Sequence, residues 1–325
     1  MAAMTASNVF LATAQRIDDF RRLGRMQAGS LIISVFGDAV LPRGGRLWLG
    51  SLIALLEPLG LNERLVRTSV FRLVKDEWLT TQAVGRRSDY LLTAAGRRRF
   101  EEAARQIYAA QAPAWDRRWR LVLVVGELDV RARERLRRAL FWQGFGDLRA
   151  GCFIHPSADL RQVFDALTTD GMGDTLPALM PLLAANPHLG ASANDSDLVR
   201  RAWNLDALAA GYQAFVQRYR PLWDEWRVPA RRPRDPALAW QARLLLIHDY
   251  RRLLLRDPEL PEVLLPADWP GQQARALCRD LYRCLLEPSE RFLDGALRLA
   301  SGEVPTATPL LQERFQPVDP LAVPV

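Results

Sequence analysis

Apolar residues recur at helical spacing over residues 30–40, where Leu31, Ile32, Val35 and Phe36 share a face and Ser30 is placed to cap. Pro42-Arg43-Gly44-Gly45 breaks that helix. A second helix runs over residues 48–59, apolar at Leu52, Ile53, Leu55, Leu56 and Leu59. Gly60 ends it, and Asn62 caps a third helix over residues 63–78. Residues 79–84 then read as a strand, Gly85-Arg86-Arg87-Ser88 as the connection, and residues 89–92 as the return strand. Thr93 opens a further helix to about residue 108. Helix, helix, turn, helix, β-hairpin, helix is the order of a winged helix-turn-helix. Residues 1–29, polar to mildly amphipathic, read as a short, loosely held helix.

Pro113-Ala114-Trp115 marks a linker. Beyond it, residues 119–125 and 148–155 read as strands and residues 130–143 and 158–170 as helices. That βαβα order predicts a small sheet covered by helices on one face, as in ferredoxin-like domains. Loop signals fill residues 171–174 and 177–194, and the pattern from residue 196 to 300 is helical over 197–219, 236–256, 272–286 and 288–300. The expected fold is therefore α+β and multidomain. It comprises an N-terminal extension (1–29), a winged helix-turn-helix (30–112), a ferredoxin-like central domain (113–190), a helical C-terminal domain (191–305) and an irregular tail (306–325).

Charge sharpens this picture. The 325 residues carry a net +7, and residues 60–99 hold nine basic residues against Glu63, Asp76, Glu77 and Asp89, so five of the seven excess charges fall there. A basic block inside a foldable segment is the footprint of a polyanion binder. No apolar run approaches the roughly 20 residues of a membrane span. Cys152, Cys278 and Cys284 have no C-x-x-C spacing, and His155, His188 and His248 are scattered, so neither a disulfide framework nor a metal site is read. No basic segment precedes Ala12-Thr13-Ala14, so a signal peptide is not expected, and the cytoplasm is the expected location.

On a helical wheel the third helix splits cleanly. Leu65, Val66, Ser69, Val70, Leu73 and Val74 form a docking stripe, and Arg64, Arg67, Thr68, Phe71, Arg72 and Lys75 face away. Guanidinium groups can bond bidentately to guanine or clamp phosphates, and Thr68 can approach a base edge or a thymine methyl. Phe71 interrupts the polar face, and two readings stand: packing on the wing strand, or contact with apolar edges of DNA. In the hairpin, Arg86, Arg87 and Ser88 are placed to reach phosphates or the minor groove.

These segments resemble the PaaX family, the repressors of phenylacetic acid degradation operons. The resemblance lies in Ser30-Leu31-Ile32-Ile33-Ser34, Phe36-Gly37-Asp38, Arg43-Gly44-Gly45, Glu63-Arg64-Leu65-Val66-Arg67-Thr68 and Trp142-Gln143-Gly144-Phe145-Gly146. It continues through Leu244-Leu245-Leu246-Ile247-His248, Tyr250-Arg251-Arg252 and Trp269-Pro270-Gly271, covering residues 30–300. Pro58 stands where the family often has Gly, and residues 1–29 match nothing in it. The resemblance implies a cytoplasmic, homodimeric repressor on double-stranded operator DNA, released by phenylacetyl-CoA, with no other cofactor. It also implies a central domain like the small CRISPR-associated ferredoxin-like nuclease. Two third helices in successive major grooves would require a pseudo-palindromic operator.

Two further readings follow. For the effector, Arg251 or Arg252 beside His248 could meet CoA phosphates while Trp203 and Tyr250 border an acyl pocket. The competing reading is a core-facing helix with its arginines in water. The alternative function is a metal-dependent nuclease in the central domain, for which Glu127 and Asp129 follow the first strand. No second carboxylate cluster accompanies them, no catalytic residue is assigned, and a non-enzymatic regulator is expected.

Overall fold

The computed structural model describes residues 10–23, 28–186, 193–228 and 235–316. His188 lies outside them. The chain is α+β and forms two compact units: the first lies within Met1–Ala110, Gln213–Arg252 and Gln272–Val325, the second within Gln111–Tyr212 and Leu253–Gly271.

In the first unit α1 (Leu11–Leu23) precedes α2 (Ala28–Val35), which continues through a π-helical turn, Phe36–Val40, and a 3-10 turn, Leu41–Arg43. A short strand β1 (Arg46–Trp48) leads to α3 (Leu49–Leu56), the 3-10 turn Glu57–Leu59 and α4 (Glu63–Lys75). The hairpin β2 (Leu79–Val84) and β3 (Arg87–Leu92) and helix α5 (Ala94–Ile107) complete this stretch. The sheet is antiparallel in the order β1-β3-β2, with Trp48 opposite Asp89 and Leu79 opposite Leu92. β1 has no counterpart in the sequence reading, because three residues are too few to show a period. Gly45, at φ 76°, turns the chain so that its carbonyl accepts the Leu92 N–H.

The helices α9 (Leu205–Trp226, from Gln213 onward), α10 (Pro236–Leu254, to Arg252) and α11 (Pro270–Ala296, from Gln272) pack into this unit. The expected helix over 197–219 is two helices, α8 (Asp195–Ala202) and α9. The two expected over 272–286 and 288–300 are one, since α11 runs through Pro288. Proline removes one backbone donor there, but its ring is buried alongside Leu285 and Leu293. Leu31, Ile32 and Val35 of α2, Leu52 and Leu55 of α3 and Val66 and Val70 of α4 share one core with Trp240, Leu244, Leu245 and Leu293. Ile17 and Phe20 of α1 join the same core. The N-terminal helix is therefore firmly held. Glu225 accepts the Ala12 and Thr13 N–H groups at its start, and Arg16 meets Asp249 at 2.8 Å. Buried Thr13 and Arg16 disguise the face that an apolar pattern would reveal.

A buried ionic cluster lies inside this unit. Asp38, on the π-helical turn, has no exposed surface. Arg243 Nε lies 2.8 Å from one of its oxygens, and Arg314 Nη1 donates to the other at 2.8 Å. The Tyr108 and Tyr282 hydroxyls donate to that second oxygen at 2.6 and 3.1 Å. Arg243 and Arg43 then share Glu290, at 2.6 and 2.5 Å. Burial alone would push the Asp38 carboxyl up, but Arg243, Arg314 and the Tyr108 hydrogen bond hold it below its ordinary value. Residues 306–316 are irregular apart from the 3-10 turn Pro309–Leu311, yet Leu311, Arg314 and Phe315 are buried.

The second unit is a four-stranded antiparallel sheet in the order β5-β6-β4-β7, formed by β4 (Trp119–Val124), β5 (Gly146–Asp147), β6 (Cys152–His155) and β7 (Leu179–Ala184). Val122 and Phe153 pack with Leu136 and Leu140 of α6 (Val130–Trp142) and with Val163 and Leu167 of α7 (Leu160–Thr169). Trp119 and Ile154 pack instead with Val199, Leu260 and Leu264. The sequence predicts a loop where β7 runs. Pro181 reads as a breaker, but on an edge strand, opposite Val122, proline is tolerated.

Removing the Asp38 carboxylate would leave Arg243 and Arg314 buried without their counter-charge. Asp38→Ala is expected to lower stability by about 3–5 kcal/mol. Urea unfolding reads this as a lower midpoint at unchanged slope; a wild-type midpoint would contradict it.

Acid should also destabilise the chain. Burial pushes His248 down to about 4, as it does His155, whose Nδ1 accepts the Ser157 and Ala158 N–H groups. Unfolded imidazoles titrate at the ordinary 6.5. The unfolded chain therefore takes up protons first, and stability present above about pH 6.5 is lost as the pH falls toward 4. Asp38 adds its own loss only below the ordinary carboxylate value of 3.8. Urea midpoints should decline between pH 6.5 and 5, and constant midpoints over that range would contradict the assignment.

Candidate nucleic-acid interface

The turn before α4 is built by Gly60, which adopts the left-handed conformation at φ 84° and lets Leu61 donate to the Leu56 carbonyl. The Asn62 side chain accepts the Leu65 N–H at 2.9 Å, and Glu63 occupies the first turn, where negative charge suits the helix dipole. Val66, Ser69, Val70 and Leu73 are buried. Arg64, Arg67, Thr68, Phe71, Arg72 and Lys75 are all exposed. Within that face Arg67 pairs with Glu63 at 2.6 Å, and the Thr68 hydroxyl donates to the Arg64 carbonyl.

The hairpin differs from the expected four-residue connection. Val84 pairs with Arg87, so the turn is Gly85-Arg86 alone, with Gly85 at φ 60°. Arg86 stands exposed at the tip. Arg87 is the first residue of β3, its guanidinium 4.6 Å from the Trp48 ring centroid, and half-buried Ser88 pairs with Ala83 on the strand. Two of the four acids in the basic block are engaged internally. Glu63 holds Arg67, and buried Asp89 accepts from Arg46 and from the Ala300 N–H.

The five residues expected around an effector are divided between the units. His248, Tyr250, Arg251 and Arg252 belong to the first unit, on α10, and Trp203 to the second. His248 is fully buried, with Nδ1 3.2 Å from the Ser34 hydroxyl. Arg251 donates to the Ser30 hydroxyl and carbonyl and to the Ser34 hydroxyl, and burial beside Arg252 pushes its pKa down to about 10. Tyr250 packs on Phe215, and Arg252 is exposed. His248 and Arg251 thus hold α2 to α10.

Trp203 donates to the Gly144 carbonyl at 3.0 Å and stacks on Trp119. It borders a cavity of about 380 Å³, walled also by Phe141, Phe145 and Phe153, with Arg137 and Arg256 on its lining. Of this wall the sequence names Trp203 as a pocket residue and Phe145 only within the motif Trp142-Gln143-Gly144-Phe145-Gly146. Of the carboxylates considered for metal chemistry, Glu127 is exposed, and Asp129 caps α6 by accepting the Ala132 N–H. Among the described residues no three His, Cys, Asp or Glu side chains converge as a metal site, and no helix is long and apolar enough to cross a membrane.

Three family models match in chain order: PaaX-like protein over residues 27–96, PaaX protein central Cas2-like domain over 112–180, and PaaX-like protein C-terminal domain over 203–295. The chain is 41% identical over 293 residues to the transcriptional repressor PaaX of Escherichia coli (strain K12), covering 88% of this chain and 89% of that one. Among solved structures it is similar to the uncharacterized protein Rv0674 from Mycobacterium tuberculosis, at 25% identity and a TM-score of 0.51, over 81% of this chain and 97% of that one. With all three models matched and that degree of identity sustained along nearly its whole length, the chain belongs to the PaaX family.

Proposed function

We propose that the protein is a DNA-binding transcriptional repressor of phenylacetate catabolism genes, released from its operator by phenylacetyl-CoA. The observation that carries this reading is the outer face of α4, exposed along its whole length and armed with Arg64, Arg67, Arg72 and Lys75. The identity to a repressor supports it. In this reading α2, α3, α4 and the β2–β3 hairpin form a winged helix-turn-helix, with α4 in the major groove and Arg86 at the wing tip. The second unit is a ferredoxin-like domain.

Repression is then steric and electrostatic. Cationic side chains draw the helix to the duplex by displacing counterions, and base-edge contacts fix its position. A homodimer would present two α4 helices to half-sites about one helical turn, roughly 34–36 Å, apart or a multiple of it.

For the effector, the cavity beside Trp203 suits an aryl-acyl group better than α10 does. Its walls are aromatic, and Arg137 and Arg256 can meet phosphates. His248 and Arg251 already hold α2 from within the core. Release requires that ligand and DNA favour different arrangements of the protein, and each must weaken the other by the same factor.

Arg72→Ala is expected to weaken operator binding by about 1–3 kcal/mol and relax discrimination at the base it reads. Arg86→Ala should weaken all sequences about evenly and reduce the salt slope by about 1. Gel shifts at several salt concentrations separate the two effects, and unaltered binding in both variants would overturn the reading.

Phenylacetyl-CoA should abolish the operator shift while phenylacetate and free CoA leave it intact. By calorimetry, Arg137→Ala and Arg256→Ala should bind phenylacetyl-CoA more weakly than the parent. Unchanged affinity in both would remove the effector from this cavity.

A further inference from the structure

We propose that Phe71 is a specificity-determining residue that packs its phenyl ring against the 5-methyl group of a thymine in the operator's major groove. The inference rests on the reading of α4 as the recognition helix and adds an apolar element to its cationic face.

Phe71 is 69% exposed and takes no part in the core beneath α4. That removes the alternative left by the sequence, in which the ring packs on the hairpin. At about 100° per residue, Phe71 projects roughly opposite the stripe of Val66, Ser69, Val70 and Leu73, beside Arg64, Thr68 and Lys75. It therefore stands at the centre of the outward face, with Arg67 and Arg72 to its sides.

A bare phenyl ring ringed by cations needs a surface that is apolar at its centre and anionic at its edges. A second copy of this chain does not offer one, because its own α4 face would bring like charges together. Duplex DNA does: phosphates line both rims of the major groove, and the thymine methyl is the apolar group on its floor. The other base-edge groups there are hydrogen-bond donors and acceptors that a phenyl ring cannot satisfy, so thymine is the base that it can select.

The test uses the full chain and a duplex that it selects from a random-sequence pool. Each thymine in turn is replaced by deoxyuridine, which deletes one methyl group and keeps the pairing and the hydrogen-bonding edge. The wild-type chain should bind about fourfold more weakly at one or two positions in each half-site, the fold-change for exposing one buried methyl. Phe71→Ala should bind the thymine duplex more weakly and no longer distinguish thymine from deoxyuridine there, whereas Phe71→Leu should keep part of the discrimination.

Equal binding of thymine and deoxyuridine duplexes by the wild-type chain at every position would overturn the proposal. Full discrimination by Phe71→Ala would overturn it too. So would unaltered DNA binding by Phe71→Ala with a changed oligomeric state, which would assign the ring to a contact between copies. Arg64→Ala and Arg72→Ala separate the two levels of failure. If they bind DNA normally, the reading of α4 fails; if they bind weakly while no thymine discrimination exists, only the role of Phe71 fails.

Discussion

The carboxylate of Asp38 is where five distant stretches of the chain must meet. It sits on the π-helical turn after α2 and is reached by Tyr108 after α5, Arg243 of α10, Tyr282 of α11 and Arg314 near the C-terminal end. A buried charge is tolerable only when it is paired and hydrogen-bonded, and here the pairing is supplied from up to 276 residues away. Such a cluster adds less net stability than its short distances suggest, because each ion gave up its hydration. What it does is forbid alternatives. Any packing that leaves Arg243 or Arg314 without Asp38 strands a cation in the core.

The orientation of α4 follows from that constraint. Val66 and Val70 rest in the same core as Leu31, Ile32 and Val35 of α2, and α2 is tied by Ser30 and Ser34 to Arg251 and His248 of α10. From the other side, α1 is anchored to Glu225 and Asp249, and Arg21 donates to the Pro58 carbonyl just before Gly60. The turn that aims α4 is thus braced by α1, and the helix beneath α4 is braced by α10. Helix α4 and the C-terminal helices share one packed core within this unit.

What the sequence disclosed and what it hid divide along physical lines. α4 was legible because its cap, its turn glycine and its amphipathic period all agree locally, and the exposed face is the one the wheel assigns. The hairpin was legible too, although its turn is two residues shorter than expected. β1 escaped for lack of length, and β7 because proline on an edge strand looks like a break. The strength of α1 was hidden by burying Thr13 and Arg16 rather than a plain apolar stripe. Asp38 lay in a motif that marked the family, but nothing beside it in sequence announces Arg243 or Arg314. Likewise the sequence offers Arg251 and His248 as effector groups on a helix that also reads as core-facing, and it gives no sign of their bonds to Ser30 and Ser34, over 200 residues earlier.

The central claim is that α2, α3 and α4 owe their arrangement to the C-terminal helices through Asp38 and the shared core. The most direct test is the isolated fragment of residues 1–110, followed by its amide proton spectrum and urea unfolding. Without Trp240, Leu244, Leu245, Leu293, Arg243 and Arg314, the fragment should show collapsed amide dispersion and no cooperative transition. A well-dispersed spectrum with a cooperative transition and the operator affinity of the full chain would contradict the account.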